Sequence, residues 1–300
     1  MKEKIRRLAK ERNAIILAHN YQPPEIQDVA DICGDSLELS VLAAETDADI
    51  ILFCGVHFMA ETAAILSPEK TVLLPRRDAG CPMADMVTPD ALGARKNVAP
   101  SMPVVTYVNS TAAVKALSTI CCTSANVLDV VESLDEDEIL MVPDRNLAEY
   151  ASTRTSKTIH TWNGFCPIHD RLTPEKVFEA KKAHPEALFI AHPECRQEVL
   201  ALTDAVLSTS GMIRYAETSD RTEFIVGSEV GLLYPLKKAV PGKHFYPAAV
   251  DMECADMKKI KFADMVKSLE TLEGQVKVPE SIREPALTAV QRMVDLAKVS

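Results

Sequence analysis

The sequence predicts an α/β fold: three pseudo-symmetric, three-layer αβα domains, made by internal triplication and arranged around a central active site. Three observations predict it. A cysteine recurs near the end of three similar stretches, KTVLLPRRDAGCPM (70–83), KTIHTWNGFCPIH (157–169) and KHFYPAAVDMECADM (243–257), which sets Cys81, Cys166 and Cys254 at intervals of 85 and 88 residues. Self-similarity at a fixed interval is the mark of repeated structural units. Other landmarks keep step with it: Ser36, Ser124 and Ser208 each precede a turn, at Gly55, Pro143 and Gly227, by 19 residues. A strand-like run ends at His19, Val108 and His192, which lie 17, 16 and 16 residues before those serines. Within each copy, short β-rich runs alternate with amphipathic segments, the pattern of parallel βα units.

Taken in order, the first copy predicts strands over 15–19, 33–35, 50–54 and 71–74, with helices over 25–32, 36–46 and 57–66 between them. The second predicts strands over 104–109, 120–123, 139–142 and 157–162, separated by helices over 111–118, 125–134 and 146–155. The third repeats this with strands over 188–192, 205–208, 223–227 and 243–247 and helices over 194–203, 210–218 and 231–240. The expected domains are therefore 1–85, 86–170 and 171–257. The remainder, 258–300, reads as helical apart from VKV at 276–278 and is expected to pack on the first domain together with the charged N-terminal helix.

A chain of 300 residues with 47% hydrophobic content can bury a sizeable core. The opening MKEKIRRLAKERN lacks the apolar stretch of a signal peptide, and no apolar run reaches the roughly 18–20 residues of a membrane span. A cytoplasmic protein is expected, with no membrane partner. In a reducing compartment its eight cysteines suit metal binding or catalysis better than disulfides. A net charge of −10, scattered Lys and Arg, and only 5% aromatic residues argue against nucleic acid as a partner.

In open parallel sheets ligands bind beyond the carboxyl ends of the strands, where helix N-termini present free N–H groups. His19, Asn109 and His192 follow the first strand of each copy, Ser36, Ser124 and Ser208 follow the second and are placed to cap the next helix, and the three cysteines follow the fourth. Three such edges facing inward would surround one cavity. Cys33, Cys54, Cys121, Cys122 and Cys195 do not recur in step and read as core or incidental residues. Cys81, Cys166 and Cys254 lie in polar loops where burial gives no reason for cysteine, and they read as metal ligands. Three thiolates are one short of the four that close a 4Fe-4S cluster, which would leave one iron open as a Lewis acid.

The stretches AHNYQ (18–22), GDSLEL (34–39), GVHFMAETAAIL (55–66), CPMA (81–84), YVNST (107–111), TSAN (123–126), PDRNLAEY (143–150), NGFCPIH (163–169), HPEC (192–195), STSGM (208–212) and CADMK (254–258) carry a resemblance to the quinolinate synthase family over essentially the full length. The chain departs from the usual family pattern at Ala255, Asp256 and Lys261, beside Cys254. The resemblance implies a 4Fe-4S cluster on Cys81, Cys166 and Cys254, and condensation of iminoaspartate with dihydroxyacetone phosphate to quinolinate in NAD biosynthesis. An aspartate-oxidising enzyme would supply the iminoaspartate. That chemistry needs anion binding and proton transfer, and the groups at the strand ends and in these motifs are the candidates: His19, Ser36, Tyr107, Asn109, Ser124, His192, Glu194, Ser208 and Thr209 for the carboxylates and phosphate, and Glu194, Tyr21 and Tyr107 for the protons. His57, His160, His169, His184 and His244 read as structural. Two other classes stay open: a diphthamide-type three-cysteine iron–sulfur enzyme using S-adenosylmethionine, which AHNYQ and HPEC speak against, and a non-catalytic iron–sulfur dicarboxylate sensor.

Overall fold

Each copy forms a four-stranded parallel sheet because its inner strands are apolar on both faces and its crossovers are long enough for helices. The computed structural model describes residues 1–298. The first sheet contains β1 (Ala14–His19), β2 (Ile32–Gly34), β3 (Ile50–Cys54) and β4 (Thr71–Leu73) in the order β2-β1-β3-β4. The second contains β5 (Val104–Tyr107), β6 (Ile120–Cys122), β7 (Glu138–Val142) and β8 (Thr158–Thr161), ordered β6-β5-β7-β8. The third contains β9 (Leu188–Ala191), β10 (Ala205–Val206), β11 (Glu223–Gly227) and β12 (His244–Pro247), ordered β10-β9-β11-β12. The order is the same three times, and every pairing is parallel. The fold is the expected α/β triplication.

The alternation of side chains along a strand builds a layer on each face of a sheet. In β5 and β7, Val105 and Met141 join the main core, while Val104, Leu140 and Val142 pack with Leu92 and Val114 on the other side. In β9 and β11, Ile190, Phe224 and Val226 face the main core, and Phe189, Ala191 and Ile225 pack with Val177, Val199 and Met252. Helix Phe262–Thr271 lies on the N-terminal helix Lys2–Glu11 and on β3. Helix Glu280–Ala297 crosses from helices Ser36–Glu45 and His57–Leu66 of the first copy to β6 and helices Ala112–Lys115 and Val127–Glu132 of the second.

The sheet registers correct one sequence alignment. His19 pairs with Gly34, Tyr107 with Cys122 and Ala191 with Val206, and each of these partners lies two residues before its landmark serine. The equivalents of His19 are therefore Tyr107 and Ala191, not Val108 and His192. The spacing to the serine is then 17 in all three copies, so no gap is needed between the first and third strands. His192 takes the place of Asn20, one residue beyond the strand end.

Candidate functional site

The carboxyl ends of the three sheets converge on one cavity of about 380 Å³, a volume suited to a small ligand. His19, Tyr21, Asp35 and Ser36 reach it from the first copy, Tyr107, Asn109 and Ser124 from the second, and His192, Glu194 and Thr209 from the third. Cys81, Cys166 and Cys254 line it as well. Ser208, expected there, does not. Its hydroxyl caps helix Thr209–Thr218 by accepting from the Gly211 N–H at 3.1 Å, and it lies 3.1 Å from Asp35 Oδ2. Of the three landmark serines, Ser208 is the one that caps a helix: Asp35 caps Ser36–Glu45 through a capping box, because a carboxylate directly precedes the serine.

The two histidines at the strand ends are held as neutral donors. His19 Nδ1 accepts the Tyr21 N–H at 3.1 Å, and His192 Nδ1 accepts the Glu194 N–H at 3.4 Å. With Nδ1 accepting, the ring proton resides on Nε2. Burial brings His19 down to about 3, reinforced by His192 and Lys258. Burial does the same to His192, also to about 3, with His169 adding to it and Glu194 opposing it. His192 Nε2 lies 3.1 Å from Ser124 Oγ and so donates to it, which leaves the serine hydroxyl proton free to serve a ligand. Thr209 Oγ1 likewise accepts from Asn20 Nδ2 at 3.0 Å. Asn109 Oδ1 is buried with no hydrogen-bond partner, a group that a ligand in the cavity would satisfy.

A second set surrounds Glu194, which is 4% exposed. Tyr107 donates its phenol to Oε1 at 2.7 Å, and His169 Nδ1 lies 2.6 Å from Oε2. His169 Nε2 sits 3.2 Å from Ser228 Oγ, which is 2.7 Å from the Tyr21 hydroxyl. Tyr107, Glu194, His169, Ser228 and Tyr21 thus form a continuous hydrogen-bonded chain drawn from all three copies. The His169 ring also stacks on that of His192, with centroids 4.7 Å apart. Burial opposes the charge on Glu194, but the His192 and His169 rings, together with hydrogen bonds from His169 and Tyr107, hold its pKa below the usual carboxylate range. Burial and the neighbouring Glu194 raise both tyrosines, which remain protonated donors at neutral pH.

The three cysteines share one local geometry. The backbone N–H three residues ahead, of Ala84, His169 and Met257, is directed at the sulfur of Cys81, Cys166 and Cys254 respectively. Such donors favour a thiolate. Burial still dominates, taking Cys81 up to about 12 and raising the other two, and His169 Nδ1 lies 3.2 Å from Cys166 Sγ; soft thiolate donors of this kind suit a soft metal. Their loops are tied into place. Gly80 N–H donates to Asp256 at 3.1 Å, which joins the Cys81 and Cys254 loops. Buried Glu229 accepts from the Cys254 N–H at 3.0 Å and pairs with Lys258 at 2.8 Å. At Gly164 any Cβ would meet the Pro143 carbonyl oxygen at 2.4 Å, so the Cys166 loop requires glycine there. The donor set thus fits a thiolate-bound metal group. The ligand atoms of Cys166, His169 and Glu194 also lie within 4.8 Å of one another.

The places of His169, Ser228 and Glu229 in this network are not legible in the sequence alone. His169 reads as structural because no counterpart recurs in the other copies; its place three residues after a candidate ligand, in NGFCPIH, was the available signal.

Comparison with known proteins adds the family. The model for "Quinolinate synthetase A protein" (NadA) matches residues 3–295. The chain is 55% identical over 298 residues to a quinolinate synthase from Geotalea uraniireducens (strain Rf4), covering 99% of this chain and 98% of that one. It is 54% identical over 295 residues to one from Thermodesulfovibrio yellowstonii, at 98% and 97% coverage. A third, from Methanoregula boonei, is 52% identical over 296 residues, at 99% and 98% coverage.

Proposed function

Because the chain belongs to the quinolinate synthase family, whose members are enzymes, we propose that its cavity condenses iminoaspartate with dihydroxyacetone phosphate to quinolinate, phosphate and water in NAD biosynthesis. The observation that carries this reading is the meeting, in one cavity, of three thiols with directed N–H groups, neutral imidazole donors and a buried carboxylate between two proton-bearing side chains. Cys81, Cys166 and Cys254 would hold a 4Fe-4S cluster, which supplies a Lewis-acid iron free of thiolate.

The chain's own residues supply the rest. Nε2–H of His19, the hydroxyls of Ser36, Ser124 and Thr209, and Asn109 bind and orient the substrate carboxylates and phosphate; His192 acts on them through Ser124. Ser208 supports them by capping the helix that begins at Thr209. Glu194, held ionised, takes the proton from substrate carbon or nitrogen. Tyr107, bonded to it, and Tyr21, linked through Ser228 and His169, donate protons to departing oxygen. The proposed domains are 1–85, 86–170 and 171–257, with 258–300 packing on the first and, through helix Glu280–Ala297, on the second as well.

We place the enzyme in the cytoplasm, fed with iminoaspartate by an aspartate-oxidising enzyme; no helix among the described residues is long and apolar enough to cross a membrane. The test is anaerobically reconstituted protein incubated with both substrates. Quinolinate formation is expected. Its absence from cluster-loaded protein would favour the dicarboxylate sensor, and methionine-derived transfer from S-adenosylmethionine would favour the diphthamide-type reading.

A further inference from the structure

Lys115 is among the largest side chains of the described residues to be wholly removed from solvent, at 0% exposure, and it ends the short helix Ala112–Lys115 behind the cavity wall. A buried ammonium is rare unless paired. No carboxylate among the described residues forms an ion pair with Lys115. Its Nζ donates to the Ser110 carbonyl and lies 5.6 Å from the centroid of the Phe58 ring. Both contacts belong to the wall: Phe58 lines the cavity, and Ser110 follows Asn109, which also lines it. Asn109 Oδ1 and Ser110 Oγ are each buried without a partner. A buried cation with no carboxylate bonded to its ammonium therefore stands behind the Phe58 and Asn109 part of the cavity wall, with Glu61 its nearest acidic side chain in electrostatic reach.

We propose that Lys115 sets the charge preference of the cavity: its ammonium, clamped on the Ser110 carbonyl behind Phe58, is a positioning group that favours doubly negative ligands over singly negative ones. The proposal deepens the proposed function and rests on reading the cavity as a dicarboxylate site. Burial lowers the pKa of Lys115 while Cys121, Glu61 and Cys81 oppose that, and a ligand anion would add to their effect. A cation behind a low-dielectric wall acts on every unit of ligand charge, whereas a purely structural lysine would support all ligands alike.

Calorimetric titration of reconstituted wild-type protein with quinolinate and picolinate separates the two ideas. Picolinate keeps the ring nitrogen and the adjacent carboxylate but lacks the second carboxylate. No binding of quinolinate by wild-type protein would overturn the proposed function itself. Where wild type binds, Lys115→Met is expected to lose on the order of tenfold more affinity for quinolinate than for picolinate while keeping its melting transition. Equal losses for the two ligands, or none, overturn the Lys115 proposal and leave the function standing. Lys115→Gln, a neutral side chain able to keep the Ser110 contact, serves as the second variant and carries the same two readings if methionine is not tolerated.

Discussion

Glu194 and His169 meet at 2.6 Å in the interior, 25 residues apart in sequence and contributed by different copies. The contact orients the carboxylate so that its other oxygen receives the Tyr107 phenol. Replacing Glu194 by glutamine preserves shape but leaves one acceptor where the carboxylate has two, and removes the proposed proton acceptor. Turnover by Glu194→Gln is expected to fall by about 10²–10⁴-fold with the cluster absorbance unchanged. Steady-state kinetics on reconstituted protein checks this, and a wild-type rate would move the base elsewhere.

Ser124 lines the cavity beside His192, whose Nε2 lies 3.1 Å from its hydroxyl oxygen. Ser124→Ala removes one hydrogen bond to a charged group and leaves the His192 Nε2–H without its acceptor. A loss of about 1.5–3 kcal/mol in substrate affinity is expected, read as a raised KM. Unchanged kinetics on dilute substrate would remove Ser124 from the binding set.

Stability should depend on pH through His19 and His192. Both are held near 3 in the folded protein and return to about 6.5 when unfolded. Between those values the unfolded chain binds more protons, so stability falls as pH drops from about 6.5 toward 3. Glu194, also depressed, adds to the loss as pH falls below about 4.3. The slope should reach up to about 1.4 kcal/mol per pH unit for each histidine. Urea unfolding of the cluster-free protein from pH 7.5 to 5 measures it, and His192→Gln should flatten the curve. Stability that is level or rising toward acid contradicts the tautomers assigned here.

Two glycines make opposite predictions. Gly164→Ala must displace the backbone that carries Cys166, and should cost about 1–3 kcal/mol and lower iron content. Gly93, inside helix Pro89–Val98, has open space around its Cβ position, so Gly93→Ala should stabilise by about 0.5–1 kcal/mol. Thermal melts of the two variants decide both.

What could be read before the structure follows from physical range. Strands, helices and the triplication are local or periodic, and helix His57–Leu66 and strand Glu223–Gly227 fall on the expected bounds. The one-residue slip at His192 arose because HP and HN both follow apolar runs, and only hydrogen-bond register tells a strand end from the residue after it. Glu194, Tyr21 and Tyr107 were legible through their motifs. His169, Ser228 and Glu229 were not, because what marks them is a set of contacts distant in sequence: His169 to Glu194 and Ser228 to Tyr21 across the seams between copies, and Glu229 to Cys254 within the third. Lys115 looks like an ordinary helix cation until its burial is known.

The central claim is that Cys81, Cys166 and Cys254 together hold one cluster with an iron available to substrate. Mössbauer spectroscopy of protein reconstituted with ⁵⁷Fe tests it most directly, with and without quinolinate and in Cys254→Ala. Four irons per chain, a signal change at one iron on adding quinolinate, and loss of the cluster in Cys254→Ala are expected. A single metal ion on Cys166, His169 and Glu194 that survives Cys254→Ala, or four equivalent irons unmoved by ligand, would contradict the account.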